Sequence, residues 1–344
     1  MATGILLEIR DLRHYSSDAL RPVLEAESNL WQKRLNWDYL GSARLLLQYL
    51  DSHSLPGFVA LDRGPDQGMA LNLNRTPIIG YIFCVYEENK AVIGNVFARP
   101  AMTEGLEISP KDDSRHAVEA TLLGHMIEML THSPGVERIE TQLLLHRDGA
   151  HTALLEQAGF HVARRLYLER RLLHETIQPN PPIQDGFLLR RWQDTDLTAA
   201  SQLIVESYRN HPDSGINDQY RSISGAQRFL YNIVRYPGCG VFVPEASHLI
   251  LDRQTDQPVG IVLGSRISPE CGHITQICMR PAYRRLGLAR HLLRASMEEF
   301  QKMGMTELTL TVTQANDTAV RLYLAEGFRQ RHRFDAAVWQ RNNL

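Results

Sequence analysis

Apolar and polar positions follow one order along this chain, and they follow it twice. The pattern at Leu6–Leu12 predicts a strand, and three- and four-residue apolar spacing over Asp18–Leu30 predicts an amphipathic helix after it. The pair returns as Phe187–Trp192 and Asp194–Tyr208. Short strands holding a glycine follow in each half, at Pro77–Phe83 and Pro258–Leu263. A further strand then leads into a long helix, near Ser114–Thr131 and Arg284–Gly304. Next comes an alternating strand, Arg138–Leu145 or Glu307–Thr313, then a short helix ending at Gly159-Phe160 or Gly327-Phe328 and a last strand. An offset of 168 or 169 positions superposes the later elements, the mark of an internal repeat. The expected fold is mixed α/β (α+β), occurring twice, each copy a mixed central sheet flanked by helices.

Between the copies lies His174 to Gly186, with prolines at 179, 181 and 182 that fit neither a helix interior nor a central strand. The expected division is a domain at 1–176, a linker at 177–186 and a second domain at 187–344. Charge separates the halves. The first carries 18 basic and 23 acidic residues, net −5, and the second 19 and 16, net +3. The whole chain of 344 residues is net −2, without the cationic excess that a general nucleic-acid binder needs. No run of 18 apolar residues exists to span a bilayer, and Glu8 and Arg10 interrupt any export-signal core. A cytoplasmic location, with neither nucleic acid nor membrane as partner, is the expectation. Cys84, Cys239, Cys271 and Cys278 form no C-x-x-C pair, so neither a zinc site nor a disulfide scaffold is indicated and no metal is expected.

The richest stretch for chemistry runs from His273 to Leu293. Its first seven residues read as a strand, Pro281 ends it, and a helix begins near Gly287. Arg284–Ala289 therefore lies at a strand-to-helix turn, where unpaired N–H groups and the positive helix end favour a phosphate. Gly287 and Ala289 lack bulky side chains, so an anion can approach the backbone. Arg280, Arg284, Arg285, Arg290 and Arg294 add charge, with no acidic residue between Glu270 and Glu298. The same stretch also reads as a plain turn beside a solvated arginine face. A dinucleotide fold fits poorly, because Gly238-Cys239-Gly240 has Val243 in place of the third glycine, and no P-loop is present.

Arg284-x-x-Gly287-x-Ala289, after a strand ending in Ile277-Cys278-Met279-Arg280-Pro281, resembles the acyl-CoA loop of the GNAT N-acetyltransferase superfamily. Asn316 to Phe328 resembles its second signature, N-x-x-A-x-x-x-Y-x-x-x-G-F. The resemblance covers the C-terminal half by motif and the N-terminal half by topology. It implies acetyl-CoA as cosubstrate, its pyrophosphate held at Arg284, Arg285, Gly287, Leu288 and Ala289. It also implies pantetheine pairing with the backbone of Ile277 and Met279, and contact from Asn316. Tyr323 would stand near the sulfur as acid, unless it only packs its helix on the sheet. His273 is the candidate base, although it also reads as an exposed residue at a strand entry. Acceptor choice in this family usually comes from the segment after the first strand, here including Tyr208–Asp213 and Asp218–Tyr220. No single residue there is singled out.

The matching loop of the N-terminal half reads Arg115-His116-Ala117-Val118-Glu119-Ala120. Val118 stands for the glycine, Glu119 adds negative charge, and Leu155 stands where Tyr323 stands. A degenerate, non-catalytic copy is expected there. The overall expectation is direct acetyl transfer from acetyl-CoA to a primary amine, of a small molecule or a peptide N-terminus, in the C-terminal domain. The alternative is a non-catalytic acyl-CoA sensor or interaction module. Acceptor identity, acyl length and oligomeric state are not encoded in any motif.

Overall fold

The structure is a computed structural model that describes residues 7–42, 44–62, 77–99, 113–173, 177–236 and 238–341. The strands in chain order are β1 (Leu7–Asp11), β2 (Gly57–Asp62), β3 (Ile78–Glu87), β4 (Lys90–Ala98), β5 (Arg138–Gln142), β6 (His161–Arg171), β7 (Phe187–Arg191), β8 (Val241–Phe242), β9 (His248–Asp252), β10 (Gln257–Ser268), β11 (Cys271–Met279), β12 (Glu307–Thr313) and β13 (Arg329–Gln340). The helices are α1 (Ser17–Leu35), α2 (Tyr39–Ser42), α3 (Arg44–Asp51), α4 (Asp113–His132), α5 (Thr152–Gln157), α6 (Leu197–Tyr208), α7 (Asp213–Ile216), α8 (Ile223–Arg235), α9 (Leu288–Lys302) and α10 (Asp317–Ala325).

Two compact units form, and they do not follow a single cut at the proline-rich segment. The first comprises Met1–Trp31, Arg44–Val162 and Phe334–Leu344; the second comprises Gln32–Ala43 and Ala163–Arg333. In the first unit β1, β2, β3 and β4 pair antiparallel in succession, β5 joins β4 in parallel, and β13 closes antiparallel on β5, Ala336 opposite Gln142. In the second, β7, β9, β10 and β11 run antiparallel in succession, β12 joins β11 in parallel, and β6 closes on β12. Each repeat thus gives its last strand to the other unit's sheet. Residues 32–43 are likewise part of the second unit. The expected boundaries at 176 and 187 assume that a repeat keeps its own last strand. A strand edge accepts any chain that satisfies its N–H and C=O groups, so periodicity cannot show this.

Within the second unit the sheet is covered on both faces. Ile250, Val259 and Val262 pack with Leu288, Leu292, Met297 and Phe300 of α9 and its start. Leu249, Leu251, Ile261 and Leu263 pack instead with Ala200, Leu203 and Ile204 of α6 and with Ala226, Leu230 and Ile233 of α8. The two-residue period of the strands makes this split, with a register shift between Pro258 and Gly260 that puts Val259 on the face of Val262. Gly264 and Gly272 lie under the ring of Phe300, where an added Cβ would stand 2.7–2.8 Å from it. The first unit buries Val118, Leu122, Leu123, Met126, Ile127 and Leu130 of α4 against Ile82, Ile93, Val96 and Ile139. No helix among the described residues is long and apolar enough to cross a membrane.

Candidate active site

The site begins where two parallel strands part. β11 pairs with β12 only from Cys271–Glu307 to Ile274–Leu310. There the pairing of β11 with β10 jumps from Gln276–Leu263 to Ile274–Gly264, so Thr275 is an extra residue. Such a bulge bends its strand and twists it away from its neighbour. Beyond it, Ile277, Cys278 and Met279 pair with Val262, Ile261 and Gly260 on one side. Their other edge has no strand partner among the described residues, which leaves backbone groups to pair with an extended ligand.

The strand then enters a turn of 3₁₀ helix at Pro281–Tyr283, and α9 starts at Leu288. Arg285 and Gly287 both take left-handed φ, +63° and +78°. Gly287 is the residue that precedes the helix, and among the described residues nothing lies within 4 Å of where its Cβ would be. The amides of Leu288 and Ala289 open the helix with no carbonyl one turn earlier to receive them. Arg290 and His291 donate to the Gly287 carbonyl at 3.0 and 3.3 Å. An anion here meets open space, free N–H groups and the positive helix end.

The arginines serve this loop differently from the sequence expectation of a free cationic cluster. Arg284 turns inward, donating from Nε to the Met279 carbonyl at 3.3 Å and from Nη2 to the Ser207 carbonyl at 2.7 Å. It clamps the end of β11 to the end of α6. Arg280 pairs with Glu206 at 3.2 Å. Arg290 and Arg294 both pair with the buried Glu326, Arg294 through two bonds of 2.7 and 2.9 Å. The signature carries Glu326 immediately before Gly327-Phe328, but its partnership lies across the fold and is invisible in spacing. Arg285 is exposed and free to swing toward a phosphate.

Asn316 heads α10, its Oδ1 accepting from the Ala319 amide at 3.3 Å, while its Nδ2 lies 3.3 Å from Nε2 of His211. Nδ1 of His211 accepts the Asp213 amide at 3.2 Å, and Thr313 donates to Oδ1 of Asp213 at 2.5 Å. Oδ2 of Asp213 stands 3.9 Å from Nδ1 of His211. Burial holds the His211 pKa below its ordinary value even with the Asp213 carboxylate beside it, so the ring is neutral at pH 7. Tyr208 and Tyr220 stack at 4.2 Å, and Tyr208 accepts from Gln276 Nε2 at 3.1 Å. Tyr323 is 5% exposed, and its hydroxyl makes no hydrogen bond among the described residues. Burial, then the nearby Asp213 carboxylate, raises its pKa and keeps it protonated. Tyr208–Asp213 and Tyr220, left unresolved by residue type, therefore meet Asn316 and Tyr323 at the mouth of the parted strands. His211 and Asp213 carried no signature of their own. Their signal was position, in the segment after the first strand of the repeat.

His273 falls elsewhere. It is 5% exposed, its ring 5.2 Å from that of Trp37 and 6.0 Å from that of Tyr167, with Nδ1 2.9 Å from Thr309 Oγ1. It belongs to the stretch where β11 and β12 still pair, about 13 Å of strand before Ile277. Burial pushes its pKa down to about 3, helped by Arg165. The expectation that it serves as base is corrected. It is a walled-in strand residue, because segment 32–43 and β6 cover the position that sequence alone left open.

In the first unit the matching loop position is filled. Val118 is a core residue and Leu155 is fully buried. Glu119 is fully buried as well, its Oε1 accepting the Ala98 amide at 3.2 Å and Arg115 Nε at 2.8 Å. Asp112 of this loop lies outside the described residues.

Residues 213–328 match the acetyltransferase (GNAT) family model. Across nearly its whole length the chain shares its fold with three solved structures. A GCN5-related N-acetyltransferase from Sphaerobacter thermophilus gives a TM-score of 0.62 at 16% identity, covering 98% of this chain and 97% of that one. A tandem GNAT protein from the clavulanic acid biosynthesis pathway gives 0.57 at 12% identity, covering 97% and 98%. A Drosophila protein gives 0.56 at 14% identity, covering 99% and 100%. No curated protein sequence matches the chain.

Proposed function

Since residues 213–328 form a GNAT acetyltransferase domain in a chain with the tandem GNAT fold, we propose that the second unit transfers an acetyl group directly from acetyl-CoA to a primary amine. The observation that carries this reading is the parting of β11 from β12 directly beside the open amide cradle at Gly287. Pantetheine pairs with the free edge of Ile277–Met279, and the pyrophosphate lies on the amides of Gly287, Leu288 and Ala289 with Arg285 over it. Asn316 stands beside the cosubstrate's arm.

The acceptor enters beside the stacked rings of Tyr208 and Tyr220 toward Asp213, whose carboxylate draws in an ammonium group. Attack on the thioester needs the neutral amine, and a lysine-like amine has a pKa of about 10.4 against about 7.7–8.0 for an α-amine. Neutral His211 takes the proton at Nδ1, its one lone-pair nitrogen, directly or through water, and the Asp213 amide gives up its bond to that atom while Nε2 keeps its hydrogen. As the tetrahedral intermediate collapses, the C–S bond breaks and sulfur takes up the negative charge. Tyr323 donates a hydrogen bond to it. Burial makes the phenol a weaker acid than its ordinary pKa of about 10, against about 8.5 for a thiol, so Tyr323 keeps its proton and the thiolate takes one from solvent, to which His211 returns the proton it received from the amine. The first unit, with Val118 and Glu119 in its loop, does not bind acetyl-CoA.

Calorimetric titration of the full chain with acetyl-CoA tests the proposal. One site per chain is expected, lost on Gly287→Glu. Two sites would make the first unit a cosubstrate binder too, and no binding would remove the enzyme reading.

A further inference from the structure

The filled loop of the first unit holds a second chemistry. His116 and Glu119 stand three apart on α4 and so share a helix face. His146, beyond β5, and His151, just before α5, come to the same carboxylate. Oε2 of Glu119 lies 3.3 Å from Nε2 of His146, 3.6 Å from Nδ1 of His116 and 3.7 Å from Nε2 of His151. Ligand atoms of His116, Glu119 and His151 all lie within 4.8 Å of one another. Donors bound at about 2.0–2.2 Å around one tetrahedral ion sit roughly 3.3–3.6 Å apart, so the two contacts of Glu119 in this trio already approach that spacing.

Two of these groups lack hydrogen bonds where they should have them. Among the described residues, Oε2 of the fully buried Glu119 has no hydrogen-bond partner, and Nε2 of His151, a residue 4% exposed, has none either. Buried polar atoms left in this state are costly, and a cation bound among them would satisfy both. Oε1 of Glu119 is already satisfied by the Ala98 amide and Arg115, so only Oε2 is available. The His116 side chain is 58% exposed, which gives the cluster an entry from solvent.

We propose that His116, Glu119 and His151 bind one divalent transition-metal ion, with His146 as a positioning residue for the Glu119 carboxylate. Two imidazoles and one carboxylate suit Zn²⁺, whereas Ca²⁺ and Mg²⁺ require oxygen ligands. Three protein ligands leave a coordination position on the exposed side of His116. By the offset of 168 or 169, His116, Glu119 and His151 correspond to Arg285, Leu288 and Ala319. The slot that takes a polyanion in one repeat takes a cation in the other. The proposal stands independently of acetyl transfer.

The test uses the full chain, stripped with chelator and dialysed. Calorimetric titration with ZnCl₂ should show one ion per chain and raise the Tm. CoCl₂ should give intense visible ligand-field bands that Zn²⁺ displaces. His116→Ala alters an exposed side chain, so it should fold normally and lose the bands and the Tm gain. His146→Gln should keep the bands and weaken Zn²⁺ affinity about 10–100-fold. No Zn²⁺ or Co²⁺ binding by the intact chain, or unchanged binding by His116→Ala, would overturn the site and leave a buried ionic network.

Discussion

Both repeats place an arginine at the head of the same helix and use it in opposite ways. In the second unit Arg284 reaches back to the carbonyls of Met279 and Ser207, and its guanidinium leaves the helix amides uncovered. In the first unit Arg115 turns forward to Glu119, whose carboxylate takes the Ala98 amide. The anion site proposed for the second unit therefore depends on what is left unfilled: open space at Gly287, against a core valine at 118. The arginine is common to both; the glycine and the missing carboxylate are not.

The comparison breaks most easily at Tyr323. Tyr323→Phe should lower turnover about 10²–10⁴-fold with acetyl-CoA affinity nearly unchanged, while Leu155→Tyr at the corresponding buried position should leave turnover as it was. Tyr323→Phe turning over at the parent rate would remove the phenol from the mechanism. His211→Gln should cost about 10²-fold in kcat/KM at neutral pH. Because burial lowers the His211 pKa, the parent's kcat/KM should rise with pH through a midpoint below the ordinary 6.5 and then level off. The variant should lose that rise; keeping it would assign the titration to another group. Arg284→Met removes two charged hydrogen bonds to backbone and should raise KM for acetyl-CoA about tenfold, with a smaller change in kcat. An unchanged KM would show that the loop holds its shape without the clamp.

The repeat and the Gly287 loop were legible because each is written locally, in period, proline placement and small residues. Glu307–Thr313 was read to the residue. The start of α9 at Leu288 follows from Gly287, whose left-handed φ ends the loop. The exchange of β6 and β13 between the units was not legible, since backbone pairing carries no residue code. The same gap misplaced His273. Trp37 and Tyr167 wall it in, and both reach the second unit from the N-terminal half of the sequence. The arginine cluster failed for a related reason: Glu206 and Glu326 lie far from their partners along the chain.

His273 sharpens the comparison through stability. It and His146 are both buried histidines with lowered pKa, one in each unit, and burial is the first cause for both. His146 has the Glu119 carboxylate beside it, which pulls the pKa back up, whereas His273 has the Arg165 charge, which pushes it further down. For His273 the folded pKa is about 3 and the ordinary value about 6.5. Between these values the unfolded chain binds the proton and the folded chain does not, so stability rises with pH across that window. The stabilisation is complete above about pH 6.5 and is lost as the pH falls toward 3, by at most roughly 5 kcal/mol at about 1.36 kcal/mol per unit. His273→Gln retains a hydrogen-bonding partner for Thr309 and cannot titrate. Urea melts at pH 7 and pH 4.5 should show a smaller acid loss in the variant than in the parent. Equal losses would mean that His273 takes up its proton within the folded chain, and the wall of Trp37 and Tyr167 would then have to open below pH 6.5.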